Sequence, residues 1–193
     1  MNSPLAITAV KLLVAGGFGV GKTTLISTIS EVPPLRTEEL LSELSSGVDD
    51  LAGVEDKRTT TVALDFGRIT ISDDLILYLF GTPGQERFWF LWDELARGAY
   101  GAVVLADTRR LESSFAAIDY FERREIPFVV GVNCFDRAPI YDIEEVRDAL
   151  EIHSRVPIRL CDARDRDSAK DVLVTLAEHA LAHAESADRR SRA

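Results

Sequence analysis

Residues 16–24 read GGFGVGKTT and fit the spacing G-x-x-x-x-G-K-[S/T], with Gly16, Gly21, Lys22 and Thr23 in the fixed positions. That spacing suits a polyphosphate. Small residues let successive backbone N–H groups turn inward around phosphate oxygens, so Gly16, Phe18, Gly19, Val20 and Gly21 are expected to line a cradle that runs on into Thr24. Lys22 is expected to reach β- and γ-phosphate oxygens, and the Thr23 hydroxyl to ligate Mg²⁺. The flanks agree: the apolar run at 6–15 reads as a buried strand feeding the loop, and Leu25, Ile26 and Ile29 mark one face of a following helix.

Further stretches add chemistry in a fixed order. Residues 61–66 read TVALDF, residues 81–88 GTPGQERF, residues 133–136 NCFD and residues 161–164 CDAR. Together with the phosphate loop they resemble the Ras-like small GTPases, whose corresponding motifs are T-I-G-V-D-F in the secretory-pathway members, D-x-x-G-Q, N-K-x-D and S-A-K. The resemblance covers roughly residues 5–182 and implies GTP and GDP as ligands, Mg²⁺ as cofactor and GTP hydrolysis as the activity. It assigns Gly84 to sensing the γ-phosphate, Gln85 to orienting the attacking water, and Thr61 to ligating Mg²⁺, with Thr59 and Thr60 close enough in sequence to take that place. At the base, Asp136 accepts two hydrogen bonds from guanine N1 and N2, Asn133 meets N7, the Ala163 amide meets O6 and Arg164 stacks on the ring.

Two positions depart from the family pattern. Gly81 stands where the family has the aspartate that holds Mg²⁺ through water, which leaves Thr23, Thr61 and the phosphates as ligands. Cys134 stands where the family has a lysine that packs along the base and braces the phosphate loop, which implies weaker binding. A small residue before P-G-Q resembles the bacterial members of the gliding-motility and polarity type and the actinobacterial conservon GTPases. Phe18, where Ras-like enzymes commonly carry glycine, crowds the water and any inserted arginine, so slow turnover is expected. Arg58 precedes Thr61 at the spacing of the built-in arginine finger of heterotrimeric G-protein α subunits, an effect worth ~4 to 7 kcal/mol where it operates, and Arg87 is a second candidate. The alternatives are a pseudo-GTPase adaptor that binds nucleotide without turnover, favoured by Phe18 and Gly81, and a P-loop phosphotransferase, for which no acceptor pocket or lid is visible.

Strands and helices must position these groups. Residues 61–72 and 75–80 read as a hairpin turning at Asp73-Asp74, residues 101–106, 127–132 and 157–160 as further strands, and the stretches between as helices. Leu40, Leu41 and Leu44 after Thr37-Glu38-Glu39 suggest a short capped helix. The expected fold is α/β, a Ras-like P-loop NTPase with a doubly wound, mostly parallel six-stranded sheet and one antiparallel strand. Residues 1–185 form one domain in this reading, residues 31–58 an extended first switch region, and residues 186–193 a flexible tail.

Composition narrows the function. With 46% hydrophobic and 28% charged residues the chain is ordinary for a globular domain, and a formal charge of −10 opposes nucleic-acid or anionic-lipid coating. Two distant cysteines suggest free thiols in a reducing compartment, and no signal peptide, membrane span or lipidation motif is read, so a cytoplasmic monomer without its own membrane anchor is expected. Partners are expected at the switch regions, and the resemblance implies small regulators of the roadblock type. Within the aromatic run at 88–92, Phe90 falls among Asp93, Glu94 and Arg97 on the polar helix face and is a candidate partner anchor.

Overall fold

The computed structural model describes residues 7–33, 35–40, 61–85 and 88–191. Its centre is β1 (Thr8–Gly16), which ends in the phosphate loop and passes into α1 (Lys22–Ile29). Side chains alternate across a strand, so β1 feeds two cores. Leu13 and Ala15 join Ile118 and Phe121 on one face, while Leu12 and Val14 join Leu25, Ile26, Leu173 and Leu176 on the other. A strand covered on both faces must be apolar throughout, which is why the run reads as continuous rather than alternating.

The chain continues through β2 (Leu35–Leu40), β3 (Thr61–Ser72), β4 (Leu75–Gly81), α2 (Phe90–Ala96) and β5 (Ala99–Ala106). A 3₁₀ turn (Leu111–Ser114) leads into α3 (Phe115–Arg123), followed by β6 (Phe128–Asn133), α4 (Ile143–Ala149), β7 (Ile158–Cys161) and α5 (Arg166–Ser191). The sheet order is β2-β3-β4-β1-β5-β6-β7. β1 pairs in parallel with β4 and β5, the pairs β5–β6 and β6–β7 are parallel, and β3 runs antiparallel to β4. The six expected strands are therefore present, β3 being the antiparallel one, β2 adds a seventh at the edge, and the phosphate loop leaves the central strand.

One local expectation is corrected. Residues 37–40 do not open a helix: they belong to β2, which lies antiparallel on β3 from Leu35 opposite Phe66 to Leu40 opposite Thr61. The open edge of β3 offers a row of backbone donors and acceptors, and pairing with it outweighs the helical spacing of the leucines; Leu41 and Leu44 lie outside the described residues. α5 runs for 26 residues to Ser191, about 39 Å at the helical rise. Just before α2, Trp89 is 39% exposed, while Trp92 is buried at 4% and donates its Nε1–H to the Pro83 carbonyl at 3.1 Å.

Candidate functional site

The phosphate loop is held from its outside. Gly16, Gly19 and Gly21 adopt φ of 131°, 75° and 107°, the left-handed side that a side chain resists. Lys22 folds back under the loop and donates from Nζ to the Gly16 and Gly17 carbonyls at 2.9 and 2.8 Å. Burial pushes its ammonium down to about 8, with the charge of Asp65 pulling the other way. Such a buried cation, bonded only to carbonyls, is suited to an incoming polyphosphate. Phe18 turns its ring outward and is 68% exposed.

Gly84 closes one side. A Cβ built on it would lie 2.8 Å from both the Phe18 nitrogen and Lys22 Nζ, so only a bare backbone fits where a terminal phosphate would be sensed. Gln85 follows on the exposed surface. Thr61 begins β3, while Arg58, Thr59, Thr60 and Arg87 lie outside the described residues.

The carboxylate missing at position 81 is supplied from the next strand. Thr23 Oγ1 donates to Asp65 Oδ2 at 2.6 Å. A two-residue turn at Asp73-Asp74 would set Asp65 opposite Thr82, but an irregularity between Thr70 and Ser72 shifts the ladder so that Phe66 faces Phe80. One step further, Asp65 faces Gly81. A Cβ on Gly81 would meet Asp65 Cβ at 3.0 Å and Oδ2 at 3.2 Å, so glycine there makes the room that Asp65 fills. A hydroxyl and a carboxylate oxygen in contact beside the phosphate lysine fit Mg²⁺, which takes one or two protein oxygens and leaves its other positions to phosphate and water. Asp65 was legible only as an acidic residue in a strand of mostly apolar character; the bulge that aims it has no sequence signal.

The base end is assembled at the tips of β6 and β7. Asn133 is 5% exposed and donates from Nδ2 to the Val20 carbonyl at 2.8 Å, while its Oδ1 accepts the Ala163 amide at 3.1 Å. It therefore ties the phosphate loop to the β7 loop, and the Ala163 amide expected to meet guanine O6 is engaged within the protein. Arg164 bonds both oxygens of Asp136 at 2.9 and 3.1 Å and also Asp162 at 2.9 Å. That guanidinium holds the Asp136 carboxyl below its usual range. Arg164 thus lies against the carboxylate that the resemblance assigns to guanine. Cys134 and Cys161 are free thiols, and burial pushes Cys161 up to about 11. A groove of about 900 Å³ lined by His153, His179 and His183 opens at the start of β6, the opposite end of the sheet.

A cradle with its lysine and hydroxyl, leaving the central strand of this sheet, defines a P-loop nucleotide-binding fold of the Ras-like kind. Residues 14–183 match the family described as conserved hypothetical ATP binding protein, and the chain belongs to that family. An uncharacterised protein of Methanocaldococcus jannaschii is 33% identical over 139 residues, 71% of this chain and 77% of that one. The GTP-binding protein YPT1 of Saccharomyces cerevisiae is 28% identical over 178 residues, 86% of this chain and 76% of that one. Among solved structures, the cytosolic domain of the T. maritima FeoB iron transporter in a GDP form superposes with a TM-score of 0.64 at 18% identity, covering 90% of this chain. The chain spans 64% of that cytosolic domain.

Proposed function

We propose that the chain is a guanine-nucleotide switch that binds GTP and GDP with Mg²⁺, hydrolyses GTP slowly and signals through GTP-dependent partner binding. The observation that carries this reading is Asp136, an ionised carboxylate at a strand tip whose loop is tied by Asn133 to the phosphate cradle. Its two oxygens accept from the N1–H and N2–H₂ of guanine, groups that adenine lacks. A small residue before P-G-Q supports a slow enzyme of the bacterial gliding-motility and polarity or conservon type, whereas the exposed ring of Phe18 does not itself crowd the cradle. Gln85 is the residue for the water, and Gly84 with Thr61 would report the γ-phosphate to the surface.

Thr23 and Asp65 would hold the metal. When bound, Mg²⁺ neutralises charge on the β- and γ-phosphates. Lys22 leaves the Gly16 and Gly17 carbonyls for phosphate oxygens, and the inward amides of the loop fix the chain of phosphates while Gln85 sets the water in line. The partner surface includes Phe90, 55% exposed on α2 directly after the sensing loop, and a small regulator of the roadblock type is the class proposed. No described helix is long and apolar enough to cross a membrane; a cytoplasmic monomer brought to membranes by partners is the working assignment.

An adenine-nucleotide protein is the second reading, favoured by Arg164 occupying both oxygens of Asp136 and by the family description. Hydrolysis of GTP and ATP by purified protein, measured in parallel with and without Mg²⁺, decides between them. GTP turnover that needs Mg²⁺ is expected. Binding of GTP without turnover establishes the pseudo-GTPase, and preference for ATP overturns the guanine assignment. Asp136→Ala is expected to lower GTP affinity by about a hundredfold while leaving ATP affinity unchanged.

A further inference from the structure

The turn after β5 lies against the outer wall of the phosphate loop, and neither the motifs nor the family match assigns it a role. Asp107, whose side chain is wholly buried, anchors it. Its carboxylate accepts from Arg109 Nε and Nη2 at 2.9 and 2.8 Å and from the Arg109 amide at 3.0 Å. Arg109 in turn lies 3.9 Å over the ring of Phe135, between Asn133 and Asp136 in the base loop. The Arg110 amide donates to the Asp107 carbonyl at 2.9 Å, and Ser113 returns two bonds to the Arg110 carbonyl, so the backbone of the turn is fixed. Ser113 also presses the loop directly: a Cβ on Gly17 would sit 2.5 Å from its hydroxyl.

From this anchored backbone the Arg110 guanidinium donates to the Phe18 carbonyl at 3.2 Å and keeps 3.7 Å from Asp107. The Phe18 carbonyl and the Gly19 N–H belong to one planar trans peptide and point in opposite directions. Drawing the oxygen outward therefore turns the Gly19 hydrogen inward. Asn133 acts alike two peptides further on, where its bond to the Val20 carbonyl sets the Gly21 amide. The Cys134 thiol lies against the Val132 carbonyl at 3.7 Å, and its amide bonds the Cys161 carbonyl, so neither of these bonds reaches the phosphate loop.

We propose that Arg110 is a positioning residue for the phosphate cradle, aiming the Gly19 amide at the β-phosphate by holding the Phe18 carbonyl outward. It stands in for the brace that the base loop lacks at Cys134. Because Arg109 and Arg110 share Asp107, the same turn links the base loop to the phosphate loop. The inference rests on the nucleotide reading above and specifies which part of the nucleotide the turn serves.

Titration calorimetry of the full chain with GDP and with GMP in Mg²⁺ buffer tests it. Arg110 is half exposed, so Arg110→Ala is expected to fold, and its melting temperature checks this. The ratio of GDP to GMP affinity should fall about tenfold in Arg110→Ala and recover in Arg110→Lys, which keeps a charged donor. An unchanged ratio overturns the proposal, and so does equal weakening of GDP and GMP, which marks general loosening. Should the parent protein bind ADP and AMP instead, the guanine assignment falls while the ADP to AMP ratio carries the same test. Binding of no nucleotide overturns both.

Discussion

At the scale of single residues, the site keeps its chemistry while moving its donors. The carboxylate that the family carries at the position of Gly81 is absent, and the Asp65 carboxylate lies in contact with the Thr23 hydroxyl. If the pair holds the metal, Asp65→Asn should raise the Mg²⁺ concentration needed to slow GDP release by about tenfold to a hundredfold, the range for losing an oxygen around a bound metal. Release measured without Mg²⁺ should be nearly the same in parent and variant. A variant with the parent's Mg²⁺ dependence would remove Asp65 from the metal site. The phosphate loop itself was legible because all of its chemistry lies within residues 16–24. The placing of Asn133 and Asp136 after β6 and of Arg164 after β7 was legible in order, but the sequence does not say that Arg164 grips Asp136, since that pairing depends on how far the β6 and β7 loops lean together.

At the scale of elements, strand pairing decides what motif spacing leaves open. The hairpin of β3 and β4 was readable from alternation and from Asp73-Asp74, yet the irregularity between Thr70 and Ser72 determines which residue stands opposite Gly81. Shifting a register by one moves every side chain to the other face. Residues 37–40 lie in β2 rather than at the start of a helix for a related reason: helical spacing of leucines is a local signal, whereas the edge of β3 is a non-local partner. α2 reaches into the site through Trp92, whose indole packs on Tyr120 and Phe121 and donates to Pro83 beside Gly84. Trp92→Phe keeps an aromatic ring and loses the donor, so it should cost about 1 kcal/mol in urea unfolding and raise amide exchange at residues 84–85. By contrast, Asp142→Ala removes the capping box of α4, away from the cradle, and should cost about 1 kcal/mol with GDP affinity unchanged. Phe90→Ala should leave stability alone and abolish capture of a GTP-state partner; full affinity retained would exclude Phe90 as the anchor.

Across the whole molecule, the two cores meet on the central sheet and the polar ends of its strands carry the site. Acid should loosen that end through Asp107. Arg109 holds its carboxyl below the usual range, so its contribution is present above the unfolded carboxylate pKa, about 3.9, and is lost as pH falls through the lower folded value. Asp107→Asn should therefore cost about 2 kcal/mol at pH 7, with the gap to the parent closing in urea melts below about pH 4. The close approach of Gly81 and Asp65 has a historical consequence as well. A chain with aspartate at both positions would crowd two carboxylate side chains, their Cβ atoms about 3.0 Å apart, and set like charges side by side, and a chain with neither would have no carboxylate beside Thr23, so exchange between the two arrangements passes through a handicapped intermediate. Lineages should accordingly keep one arrangement or the other: among family members, an acidic residue at the position of Asp65 should occur together with a small residue at the position of Gly81, and the reverse pairing should mark a separate branch.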